Sequence, residues 1–122
     1  MSDPAFFEDL FAPFARISTR RMFGGIGLYR DGLMFGLVAD DVVYLKSDSE
    51  ADPTFVAAGA EPFVYEAGGG KRAVMSYRRL PDEGYEDPDA LVRWARVAWA
   101  AALRASAKKS RKPVGERTKK PR

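Results

Sequence analysis

The sequence predicts an α+β domain, an antiparallel sheet of about five strands with helices at its N- and C-terminal ends. Three observations carry this. In residues 21–37, apolar and aromatic side chains alternate with glycines around Asp31-Gly32, a pair that tolerates the positive φ of a two-residue hairpin turn. Asp-Pro pairs at Asp3-Pro4, Asp52-Pro53 and Asp87-Pro88 mark three helix starts, with an acid as cap and proline in the first turn. Residues 90–107 repeat their apolar side chains at helical spacing over a length no strand reaches.

Taken in order, Phe6, Phe7, Leu10, Phe11 and Phe14 form one stripe of an N-terminal helix that Pro13 ends or kinks. Residues 19–22 and 25–30 read as one strand bent at Gly24-Gly25. Its partner, 33–39, is apolar on both faces, so it is either buried on both sides or covered by another molecule. Asp40-Asp41 is a second tight turn, leading to a strand over 42–46. Residues 52–59 spell a short helix with an Asp cap and a glycine stop. A second hairpin joins 62–67, with Phe63 and Tyr65 on one face, to 73–80, with Met75 and Tyr77 on one face, through Gly68-Gly69-Gly70. In the last helix, at about 100° per residue, Leu91, Trp94, Ala95, Ala98, Trp99 and Ala102 share one arc. Arg93, Arg96, Arg104, Lys108 and Arg111 share the opposite one as a basic stripe.

A chain of 122 residues has room for one core. It contains no cysteine and no histidine, which excludes disulfides, thiol nucleophiles, imidazole bases and the usual zinc, copper and haem ligands. No apolar run is long enough to span a bilayer and the first residues do not resemble a signal peptide, so a cytoplasmic protein is expected. The net charge of +3 is unevenly placed: residues 1–107 carry 12 basic and 16 acidic side chains, while 108–122 carry eight basic ones and Glu116 alone. We therefore expect a domain over 1–107 and a disordered basic tail over 108–122. Its Lys108, Lys109, Arg111, Lys112, Arg117, Lys119, Lys120 and Arg122 are the candidate nucleic-acid contacts, through phosphate neutralisation. The tail has no aromatic residue to stack on bases.

The motifs with a chemical precedent are incomplete. Gly25-Ile26-Gly27 has Arg30 where a dinucleotide fingerprint needs its third glycine, and it enters a strand, not a helix. Gly70-Lys71-Arg72 lacks the first glycine and the Ser/Thr of a phosphate loop. Asp48, Glu50 and Asp52 alternate like a calcium loop, but Pro53 and Gly59 occupy its glycine and glutamate positions, so helix capping explains them. Asp82, Glu83, Glu86, Asp87 and Asp89 sit where acids favour a helix N-terminus.

The ordered set Arg21-Met22-Phe23-Gly24-Gly25-Ile26-Gly27-Leu28-Tyr29, Met34-Phe35, Tyr44-Leu45-Lys46, Glu61-Pro62-Phe63, Ser76-Tyr77, Leu80-Pro81 and 91–98 with Trp94 resembles the N-terminal domain of the TfoX (Sxy) family, bacterial regulators of competence genes. The resemblance implies a two-layer fold similar to the secretion-chaperone arrangement. It also implies a non-enzymatic role, without cofactor, in transcription regulation beside a cyclic-AMP receptor protein. The second domain of the best-known members is expected to be missing here, replaced by the basic tail.

The leading functional expectation is thus a regulatory or interaction domain whose protein contact lies at Arg21, Met22, Phe23, Gly24 and Gly25, with DNA contact by the tail and no membrane partner. Two alternatives stand beside it. One is a small-ligand site lined by Met22, Phe23, Tyr29, Tyr44, Tyr65 and Tyr77, with Arg21, Arg78 or Arg79 holding an anionic group. The other is nonspecific nucleic-acid binding by the tail. A homodimer through a strand edge or through 33–39 is also compatible with the pattern.

Overall fold

The computed structural model describes residues 3–22 and 24–119, the side chains of 67 and 110–119 excepted. The elements follow in the order α1 (Pro4–Phe11), β1 (Ser18–Met22), β2 (Gly25–Arg30), β3 (Leu33–Ala39), β4 (Val42–Lys46), α2 (Asp52–Ala57), β5 (Pro62–Ala67), β6 (Gly70–Arg79), α3 (Glu83–Glu86) and α4 (Pro88–Lys119). The strands form one six-stranded antiparallel sheet in the order β1-β2-β3-β4-β6-β5. Helices α1 and α4 lie on one side of it, α4 across β3 and β4, which gives two layers.

The sixth strand corrects the reading of 19–30 as one bent strand. The chain reverses at the glycine pair: β1 and β2 lie antiparallel, with Arg20 opposite Gly27 and Met22 opposite Gly25. Gly24 takes φ +78°, which a side chain resists, and a Cβ on Gly25 would run into the Val38 carbonyl oxygen of β3. Gly24 therefore makes the turn and Gly25 lets the next strand start in close contact. The turns at Asp31-Gly32 and Asp40-Asp41 both place their two central residues at positive φ, the second without any glycine.

Strand alternation sorts the residues onto two faces. Ile26, Leu28, Phe35, Val38, Val43 and Leu45 are buried beneath Phe7 and Phe11 of α1 and Leu91, Trp94, Ala95, Ala98, Ala101 and Ala102 of α4. The alanines allow the helix axis close to the strands. Trp94 stacks on Phe55 at 5.1 Å between ring centres and donates its indole N–H to Glu83. Trp99 meets Phe35 edge-on, and the Arg30 guanidinium lies 4.9 Å from the ring centres of both Trp99 and Phe14. Of the expected α1 stripe, Phe7 and Phe11 are buried, but Phe6 is 56% exposed, because a two-turn helix on a sheet edge buries only the centre of its stripe.

Asp3 caps α1 as expected, its carboxylate accepting the Ala5 N–H. Asp87 does the same for α4, accepting from Asp89. Asp52 does not cap α2. The N-cap is Ala51, and the cap-like bonds come from Asp48, which accepts the N–H groups of Glu50 and Ala51. Asp52 is drawn away by Arg78, as described below. At the C-terminal end, helical backbone runs to Lys119, past Pro113, whereas the sequence predicts an end near 107. Lys and Arg are fair helix formers, so continuing a helix already set by the alanine seam costs little beyond the bond lost at the proline.

Candidate interaction surface

The side of the sheet away from the helices carries a second, ordered set of residues. Register defines one row across five strands as Arg20, Gly27, Leu37, Tyr44 and Arg79. A second row runs Ser18, Tyr29, Met34, and a third pairs Lys46 with Tyr77. Phe63 of β5 joins them, its ring 4.8 Å from Tyr44, and Tyr65 stacks on Phe63 at 6.0 Å. Arg20 lies over the Tyr29 ring at 5.1 Å and the Lys46 ammonium over Tyr77 at 5.2 Å. Burial, with Tyr29 close by, pushes the Tyr77 hydroxyl above its ordinary pKa, so this face is partly dry around its centre.

At one end of this face, a groove of about 360 Å³ separates the β1–β2 turn from β5. Met22, Gly24, Gly25, Leu37, Phe63 and Tyr65 line it, together with the carboxylates of Asp40 and Glu66. Gly27, next along β2, leaves room for its neighbours on this face, because a Cβ there would sit 2.9 Å from both the Met22 methyl and the Tyr29 ring.

The expected contact residues are thus only partly gathered. Met22, Gly24 and Gly25 share the groove. Arg21 pairs with Ile26, a buried residue, and so projects to the helix side. Phe23 lies outside the described residues. Of the expected ligand-site residues, Tyr29, Tyr44, Tyr65, Tyr77 and Arg79 do share the open face. Arg78 does not: it is 7% exposed and committed elsewhere. Arg20, Leu37, Lys46 and Phe63 belong to the surface and were not singled out as contacts from sequence, although Leu37 and Tyr44 could have been matched once the Asp40-Asp41 turn fixed their pairing.

Arg78 forms a buried clasp on the other face. Its Nε and Nη2 donate to the two carboxylate oxygens of Asp52 at 2.9 and 3.0 Å, and Nη1 donates to the Ala60 carbonyl at 3.0 Å. Ser47 adds a 2.7 Å bond to the same Asp52 oxygen that accepts from Nε. Arg78 above all, and Ser47 after it, hold the Asp52 pKa below the usual carboxylate range. A second clasp joins α4 to the loop before α2: Arg104 donates to both oxygens of Asp48 at 2.7 and 2.8 Å and lies 3.3 Å from Glu50. This pairing lowers the Asp48 pKa to about 2 and raises that of Arg104. Arg104 therefore leaves the basic stripe expected on α4.

These clasps border a cleft of about 680 Å³ between Lys46, Met75, Arg104 and Lys108, which connects the open face to the basic end of α4. Lys108 and Lys109 are exposed there. The side chains of Arg111, Lys112, Arg117 and Lys119, and all of Lys120 and Arg122, lie outside the described residues. The acids Asp82, Glu83, Glu86, Asp87 and Asp89 do not converge, and among the described residues no three potential metal-ligand side chains gather. No described helix is long and apolar enough to cross a membrane.

A family model described as the TfoX N-terminal domain matches residues 9–102. A curated relative, DNA transformation protein TfoX1 of Aliivibrio fischeri, is 40% identical over 50 residues, which cover 41% of this chain and 24% of that protein. The chain thus spans about a quarter of that relative's length. The family match takes in the whole sheet, the glycine turn beside the groove and the buried part of α4, and on this ground the chain belongs to the TfoX N-terminal domain family.

Proposed function

We propose that the chain is a non-enzymatic regulatory domain that acts by holding another macromolecule, in the control of DNA transformation to which its relative's name refers. The observation that carries the reading is the groove between the β1–β2 turn and β5, where Met22, Leu37, Phe63 and Tyr65 offer apolar surface beside the carboxylates of Asp40 and Glu66. Such a groove suits an apolar side chain of a protein partner, a component of the transcription machinery in the simplest case. The basic end of α4 would add contact with DNA phosphates, and a cytoplasmic site of action fits this role.

The test is capture from a bacterial lysate by the full chain and by Leu37→Asp. The intact chain is expected to retain a transcription component and the variant to lose it. Recovery of nothing, or of the same proteins by both, removes the reading. The groove volume also falls within the range of small-molecule sites, so a melting-temperature rise with nucleotides or organic acids would favour a ligand sensor.

A further inference from the structure

We infer that the open face of the sheet binds single-stranded DNA, with bases on its tyrosines and phosphates on its flanking cations. This goes beyond the protein-contact reading and does not depend on it. Residues 1–107 carry more acids than bases, yet the charge is sorted by face. The open-face rows contain Arg20, Lys46 and Arg79, Tyr65 pairs with Arg72 on β6, and none of these paired positions holds an acid. The nearby acids lie off these rows: Asp40 and Glu66 line the groove at one end of the face, and Glu61 and Asp82 line a separate cleft with Arg79. Interspersed with the cations are Tyr29, Tyr44, Tyr77, Phe63 and Tyr65, the last 45% exposed.

Aromatic rings set among cations on a sheet are the arrangement that holds unpaired bases, since every base has a face to stack and every nucleotide a phosphate to neutralise. A duplex hides its bases and would use the cations alone. Arg20 and Arg79 end a row crossing four strand intervals, roughly 19 Å at about 4.8 Å each, which leaves several nucleotides between the two charges. Past Lys46 the surface is no longer positive, since the cleft between Lys46 and Lys108 is also lined by Asp48, Glu50 and Asp52, so the strand is held by the sheet and not led onto α4.

DNA is preferred to RNA because the residues set between the tyrosines, Met22, Gly27, Met34 and Leu37, offer no polar side chain to a 2′-hydroxyl, while Ser18, the aliphatic hydroxyl of the second row, stands out on the edge strand β1. A ribose laid there would lose water without a replacement bond.

The experiment is fluorescence anisotropy of the full chain with an oligothymidylate about 12 nucleotides long, a duplex of equal length and an oligouridylate. The oligothymidylate is expected to bind at least about 10-fold more tightly than the duplex, and the oligouridylate more weakly than its deoxy counterpart. Tyr44→Ala should weaken oligothymidylate binding by about 5- to 150-fold while Tyr44→Phe retains it. If Tyr44→Ala fails to fold, Arg20→Ala and Lys46→Ala serve in its place, each lowering single-strand affinity and its salt dependence. Equal binding of single strand and duplex, untouched by these substitutions, would assign all binding to tail charge and overturn the inference. Tighter binding of oligouridylate would overturn the DNA assignment. Absence of binding, with a dimer in sedimentation that Tyr44→Ala dissociates, would give the face to a second copy and overturn it as well.

Discussion

The two faces of this sheet are built from neighbouring residues of the same strands and have opposite characters. On the helix side, Leu28 and Leu45 bracket Gly36 and end at Arg78, which is neutralised by Asp52. On the open side, one residue along each strand, Gly27, Leu37 and Tyr44 end at Arg20 and Arg79. The first set resembles any packed core, in which the single charge is paired and capped by a carbonyl. The second holds half-buried tyrosines beside cations, of which Arg20 lies over the Tyr29 ring and Lys46 over Tyr77. A side chain needed for folding is fully matched inside the molecule; one available to a partner is matched only in part.

Substitutions on either face should separate along this line. Phe35→Ala, which removes a fully buried ring touching Phe11, Phe14 and Trp99, is expected to cost about 3–5 kcal/mol in urea unfolding. A loss below about 1 kcal/mol would break the assignment of the core face. Next in size, Arg78→Met should cost about 2–3 kcal/mol, because it strands Asp52, whose side chain is 29% exposed and so keeps part of its hydration. The double variant Arg78→Met with Asp52→Leu should recover most of that loss. Gly24→Ala, which forces a side chain into φ +78°, is expected to cost about 1–2 kcal/mol, read from the shift in denaturation midpoint. Smallest of all, Met75→Ser, at a position 53% exposed beside the cleft, should change stability by less than about 0.5 kcal/mol.

The pH dependence belongs to the clasped side. Asp48, at about 2, and Asp52 both have pKa values below those of an unfolded carboxylate. Their contribution is complete above about pH 4, where both states are ionised, and is lost as pH falls toward 2 and the folded carboxylates take up protons. Thermal midpoints should decline over that interval, and Arg104→Gln should flatten the decline by releasing Asp48.

Much of this plan was legible in the sequence because its causes are local. The Asp3-Pro4 and Asp87-Pro88 caps, the Asp31-Gly32 turn and the alanine seam of α4 each involve residues a few positions apart. The errors arise where a distant partner decides. Gly24-Gly25 suits a bend or a reversal equally, and only the pairing of Arg20 with Gly27 makes it a reversal. Asp52 precedes a proline as a cap should, but Arg78 claims it from 26 positions away. The open face was legible residue by residue, since its tyrosines were noted, but not as a surface. Irregularities between Leu28 and Tyr29 and between Pro62 and Phe63 interrupt the strict alternation that would have aligned them.

The Arg104 clasp has a mechanical consequence. It grips α4 near the middle of a 32-residue helix, leaving the portion from Arg104 to Lys119 as a cantilever of roughly 22 Å at 1.5 Å per residue. The positions of Lys108 and Lys109 around the helix axis are then tied to the body by that guanidinium. Inserting a single residue just after Arg104 would swing Lys108 and Lys109 by about 100° around the axis while the sheet stayed as it was.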